Sequence, residues 1–100
     1  PAGTPVRATG AGKVITAGWS GGYGNMIEID HGNGLTTRYA HLQAIHVAED
    51  QHIEAGAIIG KLGSTGRSTG PHLHYETRVD GSPVDPQKFM RAGVKLASGG

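Results

Sequence analysis

Eighteen of the 100 residues are glycine, and they fall between short apolar runs rather than in one tract. Each glycine in a helix interior costs about 1 kcal/mol relative to alanine, so a chain punctuated this densely does not favour helices. The intervening runs are rich in Val, Ile and Thr, the pattern of short strands joined by tight turns. Apolar residues make up 36% and aromatic residues only 5% of the chain, so the core must rest on Val, Ile, Leu and Ala. One hundred residues suffice for a single core that buries somewhat over ~60% of the extended-chain surface. The expectation is one all-β domain.

The strands can be placed from the periodicity. Residues 4–9 and 12–17 are short β-branched runs hinged at Gly10-Ala11-Gly12, and residues 18–24 form a glycine-rich loop carrying Trp19 and Tyr23. Residues 25–31 alternate, with Ile27 and Ile29 on one face and Glu28 and Asp30 on the other. Gly32-Asn33-Gly34 supplies the positive-φ residues of a tight hairpin, and residues 35–42 return as its partner. Gly63 to Gly70 is a long loop. In the last strand Leu73, Tyr75, Thr77 and Val79 share one face, and His72, His74, Glu76 and Arg78 share the other. Asp80-Gly81 turns the chain, and Pro83 ends the strand. Asp85-Pro86 starts a short helix over residues 87–92, with Asp85 as its cap.

Composition removes several function classes. The formal charge is +1 and the pI about 8.7, and no Lys/Arg stripe is present, so nucleic acid is not an expected partner. Cysteine is absent, which excludes a disulfide framework and a thiolate metal site. No apolar stretch approaches the ~20 residues of a membrane span. There is no His-Glu-x-x-His or Gly-x-Ser-x-Gly motif. The loop from Gly63 to Gly70 lacks the Gly-Lys-Ser/Thr ending of a phosphate cradle.

Six histidines are many for this length, and His72-Leu73-His74 is the sharpest feature. Alternate residues on a strand lie roughly 6–7 Å apart on the same face. One imidazole can then bind a metal while the other handles protons, or both can ligate one zinc. The alternative is a pair of exposed histidines on an antiparallel sheet. Glu76 shares their face and could orient an imidazole; pairing with Arg78 or with a charge on another strand is an equal alternative. Trp19, Tyr23 and Tyr39 are candidates to line a peptide groove; for Trp19, core packing is equally expected. His31 is assigned a turn-side hydrogen bond, and His46 and His52 are expected to be solvated.

The stretch from Gly60 to Glu76, which contains Thr69-Gly70-Pro71-His72-Leu73-His74-Tyr75-Glu76, closely resembles the signature of the lysostaphin/LytM family of zinc endopeptidases. Tyr39-Ala40-His41-Leu42, Tyr23-Gly24-Asn25 and Ile29-Asp30-His31-Gly32-Asn33-Gly34 resemble it too. The likeness runs in register from Gly3-Thr4-Pro5-Val6 to Pro83-Val84-Asp85-Pro86. It implies an antiparallel β-sandwich or open barrel of the duplicated-hybrid-motif type over residues 1–94, with residues 95–100 as a tail. It also implies Zn²⁺ as cofactor, peptide bonds of peptidoglycan stems or cross-bridges as substrate, and a periplasmic or extracellular location. Carried over by position, His74 is a zinc ligand, and His41 and His72 are the catalytic pair. Tyr23 and Tyr39 are the candidate substrate contacts.

In that family a His and an Asp from a His-x-x-x-Asp motif complete the zinc site, just upstream of the segment matched by Pro1-Ala2-Gly3-Thr4-Pro5-Val6. The sequence here begins after them. Its one His-x-x-x-Asp, His46 to Asp50, falls after the hairpin and is read as accidental. The expectation is therefore a piece of a longer enzyme, with zinc binding weak or absent and no activity in isolation. Two other readings are a non-catalytic wall-binding or hydrolase-activating domain and, last, a phosphocarrier-like domain. Loss of a first strand would leave a sheet edge exposed, and edges invite pairing. The 100-residue chain by itself is predicted to be marginally stable or to associate through that edge; a monodisperse, high-melting monomer in analytical ultracentrifugation and calorimetry would contradict this.

Overall fold

A computed structural model of the chain describes residues 3–63 and 73–84. Eight strands follow in order: β1 (Pro5–Arg7), β2 (Gly12–Trp19), β3 (Asn25–Gly32), β4 (Leu35–Ile45), β5 (His52–Ile53), β6 (Ile58–Leu62), β7 (His74–Val79) and β8 (Ser82–Val84). A 3₁₀ turn, Gly21–Tyr23, lies between β2 and β3. All pairings among these strands are antiparallel. The strands form one sheet in the order β1-β6-β4-β3-β2-β5, and β7 adds to β4 and carries β8 on its far side.

The sheet curls on itself. Val6 of β1 and Ile53 of β5, from opposite ends of the strand order, belong to one core cluster with Val14, Ile27, Ile29, Tyr39, Leu42 and Ile59. A flat sheet of this width could not bring its two end strands to the same core. The result is a half-barrel, in line with the expected all-β open barrel. The helix expected at residues 87–92 lies outside the described residues.

Two hairpins are set by local chemistry. Asn33 and Gly34 both have positive φ, 54° and 79°, as do Asp80 and Gly81, 51° and 86°. Pairs of this kind build the tight turns whose twist matches that of the flanking strands. The turns abut: Asp80 N–H donates to the Gly34 carbonyl at 2.8 Å, and a Cβ on Gly34 would collide with the Asp80 carboxylate. Pro83, expected to end the strand, instead sits within β8 opposite Arg78. A proline lacks an N–H, and it is tolerated in β8 because, among the described residues, the strand pairs with β7 alone and so lies at the edge of the sheet. The glycine-rich segment after residue 18 also differs from a plain loop, because β2 continues through Trp19 opposite Asn25.

The register sorts the central strands into two faces. Ile27, Tyr39 and Tyr75 lie opposite one another across β3, β4 and β7, as do Ile29, Thr37 and Thr77. These rows point to the core. The alternating row Glu28–Arg38–Glu76 faces the other way. Tyr39, expected at the substrate groove, is thus a correction: it is 1% exposed and packed in the core. Its hydroxyl accepts from the Thr37 hydroxyl at 2.9 Å and from the Thr9 N–H at 3.1 Å, and lies 2.9 Å from Thr9 Oγ1. Burial pushes the phenol's pKa up, outweighing the hydrogen bonds from Thr37 and Thr9 that lower it. The reason for the difference is parity: residue 39 shares its face with Thr37, not with Arg38. Tyr39→Phe removes the shared partner of two threonines, so unfolding in urea should show a loss of about 1–3 kcal/mol with an unchanged fold.

Candidate active site

The site is built where β4 changes neighbours. Along one edge β4 pairs with β7 from Leu35 to Ala40, ending at Ala40 opposite His74. It pairs with β6 from Leu42 onward, starting at Leu42 opposite Leu62. His41 stands at the fork between them. On its β3 side the register also slips, since Ile27 faces Tyr39 but Asn25 faces Leu42. Ala40 and His41 together therefore oppose Met26, which is a β-bulge.

His41 adopts φ 61°, the left-handed region that a non-glycine side chain occupies at a cost of about 1–3 kcal/mol. The bulge has two effects. It keeps Leu42 on the core face, fully buried, and it lets His41, the second of the two residues between Tyr39 and Leu42, turn toward the opposite surface. There the His41 ring, in a residue 7% exposed, meets the His74 ring edge-on, with centroids 5.6 Å apart and planes at 88°. His41 and His74, far apart in the sequence and both expected at the site, are thereby brought together. His72 lies outside the described residues.

Tyr23, on the 3₁₀ turn, also packs against His74, at 5.7 Å between centroids. Gly22, Tyr23, His41, His74 and Glu76 line an open cleft of about 400 Å³. Trp19, just before that turn, is 65% exposed, and Leu73 is exposed at the start of β7. Plain core packing for Trp19 is therefore excluded.

Glu76 organises the cleft floor. Its Oε2 lies 2.7 Å from His74 Nε2 and accepts from the Tyr23 hydroxyl at 2.9 Å. Its Oε1 accepts from Arg78 Nη1 at 2.8 Å. Both expectations for this residue, an imidazole partner and an arginine partner, hold at once because a carboxylate has two acceptor oxygens. Burial raises its pKa, but the hydrogen bonds from His74, Arg78 and Tyr23 together outweigh it and hold the carboxyl below its ordinary range.

Arg38, which sequence reasoning did not single out, completes the row. Its Nε donates to Glu28 Oε1 at 3.1 Å, its Nη1 donates to the Tyr23 hydroxyl at 3.1 Å, and its guanidinium lies 5.4 Å from the Tyr23 ring centre. Glu28 is a charged residue only 8% exposed, and such a group requires a partner of this kind. The signal that could have found Arg38 is its pairing with Glu28 across the hairpin, which only the register makes visible. His31 has no part in the cleft: Nδ1 meets the Ala11 carbonyl and Nε2 the Thr37 hydroxyl, each at 2.7 Å. His52 is exposed, and His46 is too.

A catalytic zinc uses three protein ligands and keeps a fourth position open. Among the described residues no group of three His, Cys, Asp or Glu side chains is arranged to hold an ion. Glu76 is engaged by three partners, which leaves the two imidazoles. The described residues by themselves do not complete a zinc site.

Comparison with known proteins adds the wider context. Residues 1–86 match peptidase family M23. The chain is 56% identical over 86 residues to the DD-carboxypeptidase/endopeptidase Mpg of Neisseria meningitidis, covering 86% of this chain and 20% of that protein. It is 46% identical over 98 residues to the peptidoglycan DD-endopeptidase ShyA of Vibrio cholerae, covering 98% of this chain and 22% of that protein. The chain thus spans about a fifth of the length of these relatives. Among solved structures, the catalytic domain of lysostaphin from Staphylococcus simulans superimposes with a TM-score of 0.85 at 40% identity, over 91% of this chain and 73% of that one. A zinc-containing peptidase from Vibrio cholerae gives 0.82 at 46% identity, over 85% and 26%. With its half-barrel, its histidine pair at the fork of β4 and this match over most of its length, the chain belongs to peptidase family M23.

Proposed function

We propose that this domain is the catalytic part of a zinc-dependent endopeptidase that hydrolyses peptide bonds in peptidoglycan stems or cross-bridges, in the periplasm or outside the cell. The observation that carries the reading is the edge-on contact of His41 and His74 at the head of an open cleft, in a chain of this family. The relatives' names support the substrate class: one is a peptidoglycan DD-endopeptidase. No helix among the described residues is long and apolar enough to cross a membrane.

In this reading His74 is a zinc ligand, and the hydrogen bond to Glu76 supports it. A proton on Nε2 donated to the carboxylate leaves the Nδ1 lone pair bare, the form a metal requires. The remaining protein ligands are the His and Asp that the family pattern puts N-terminal to Pro1-Ala2-Gly3-Thr4. Zinc would polarise the scissile carbonyl and acidify water toward neutral pH. His41, with His72, would take a proton from the attacking water and donate to the developing oxyanion, the role imidazole side chains fill most often in general acid–base chemistry. Tyr23, its hydroxyl tied to Glu76 and Arg38, offers the substrate its ring rather than its proton.

In the longer chain carrying the upstream ligands, His74→Ala should abolish both zinc binding and muropeptide hydrolysis. His41→Ala should retain zinc by elemental analysis yet lose on the order of 10²–10⁴-fold in turnover. Equal digestion of purified cell wall in strong chelator would defeat the proposal. Glu76 gives a separate expectation. Because its folded-state pKa is depressed, its stabilising contribution is present above the unfolded value and is lost as pH falls through the folded one. Glu76→Gln should therefore be less stable than wild type at neutral pH, and urea titrations should show the gap closing below the carboxylate range.

A further inference from the structure

We propose that Asn25 is a positioning residue, whose carboxamide clamps the bulge of β4 and so aims His41 at His74. Asn25 begins β3 directly after Gly24, the end of the 3₁₀ turn that carries Tyr23. In the register it faces Leu42, the first residue beyond the bulge. Its Nδ2 donates to the Leu42 carbonyl at 3.0 Å.

The placement explains how a strained residue persists. His41 at φ 61° is held only if the backbone on both sides of it is over-determined. Before it, Ala40 is fixed by its pairing with His74 of β7. After it, Leu42 is paired with Leu62 of β6, fully buried and tied to Asn25 through its carbonyl. The ring contact of His41 with His74 is the product of these restraints. Asn25 also places Tyr23 and His41 on a common frame, since it joins the turn of one to the bulge of the other. An aspartate of the same shape would turn an attractive contact with the carbonyl into a repulsive one, because a carboxylate has no proton to donate.

The test separates this role from the endopeptidase reading on which its catalytic arm rests. In isotope-labelled protein, the ¹³Cα and ¹³Cβ shifts of His41 report the left-handed conformation, and cross-relaxation between the His41 and His74 ring protons reports their contact. Asn25→Asp and Asn25→Ala should lose both signatures while the Tyr39–Tyr75 contact of the core remains. In the zinc-loaded longer chain the same variants should lose on the order of 10²-fold in kcat with little change in KM. Unchanged His41 shifts and ring contact in both variants would overturn the proposal, as would global unfolding of both, which would make Asn25 a determinant of the fold alone. If the spectra change as expected and wild type shows no hydrolysis, the clamp stands and the endopeptidase reading falls.

Discussion

An edge of a β-strand can hydrogen-bond one neighbour at a time, and the site follows from that constraint. β4 has β3 along one edge and must share the other between β7 and β6. The two cannot continue side by side, so the sheet opens where the exchange occurs. One residue, His41, spans the gap. Its left-handed backbone lets Leu42 regain the core face while the imidazole emerges on the opposite side. Elsewhere the same irregularity would simply lower stability. Here it yields a cleft, a histidine aimed into it and a second histidine against it.

A row of alternating charge steadies the floor of the cleft. Glu28, Arg38 and Glu76 lie opposite one another on three adjacent strands, and Arg78 and Tyr23 engage the carboxylate of Glu76 together with His74. Cross-strand pairs of opposite sign contribute roughly 0.2–1 kcal/mol each relative to alanine, so the row is a modest source of stability. Its larger effect is geometric. Glu76, held by several partners at once, has little freedom to leave His74 Nε2, which keeps one nitrogen of that ring occupied. The opposite face does the stabilising, through the buried cluster around Tyr39, Ile27, Ile29 and Leu42 and the hydroxyl contacts linking Thr37 and Tyr39 to Thr9.

Sequence alternation is a sound guide wherever the pleat is regular. It puts Ile27 and Ile29 against Glu28, and Tyr75 and Thr77 against His74, Glu76 and Arg78, and β3 and β7 sort accordingly. It fails where a bulge intervenes. Counting back from the Asn33-Gly34 turn puts Glu28 opposite Tyr39, not Arg38. An extra residue at His31 shifts the pairing by one, and the bulge at Ala40 and His41 shifts it back. Without that register Tyr39 reads as a groove residue, although it belongs to the core. At His41 a contact beside the bulge comes from a distant position, Asn25 on the Leu42 carbonyl; at His31 a local one, Gly32 N–H to Asp30 Oδ1, joins those with Ala11 and Thr37.

By itself the sequence determined that the described part of this chain is built of strands and how its turns are made, while its resemblance to a family named the histidines to look for at the site. Glycine spacing, two-residue turn chemistry and strand periodicity act over a few residues and need no knowledge of the partner strand. Only the tertiary structure decided that β1 and β5 share a core, that Tyr39 is buried while Tyr23 lines the cleft, and that Arg38 reaches Tyr23. Those outcomes depend on register and on the curl of the sheet. Both are set by the sum of contacts between strands far apart in the chain, and no single segment encodes that sum.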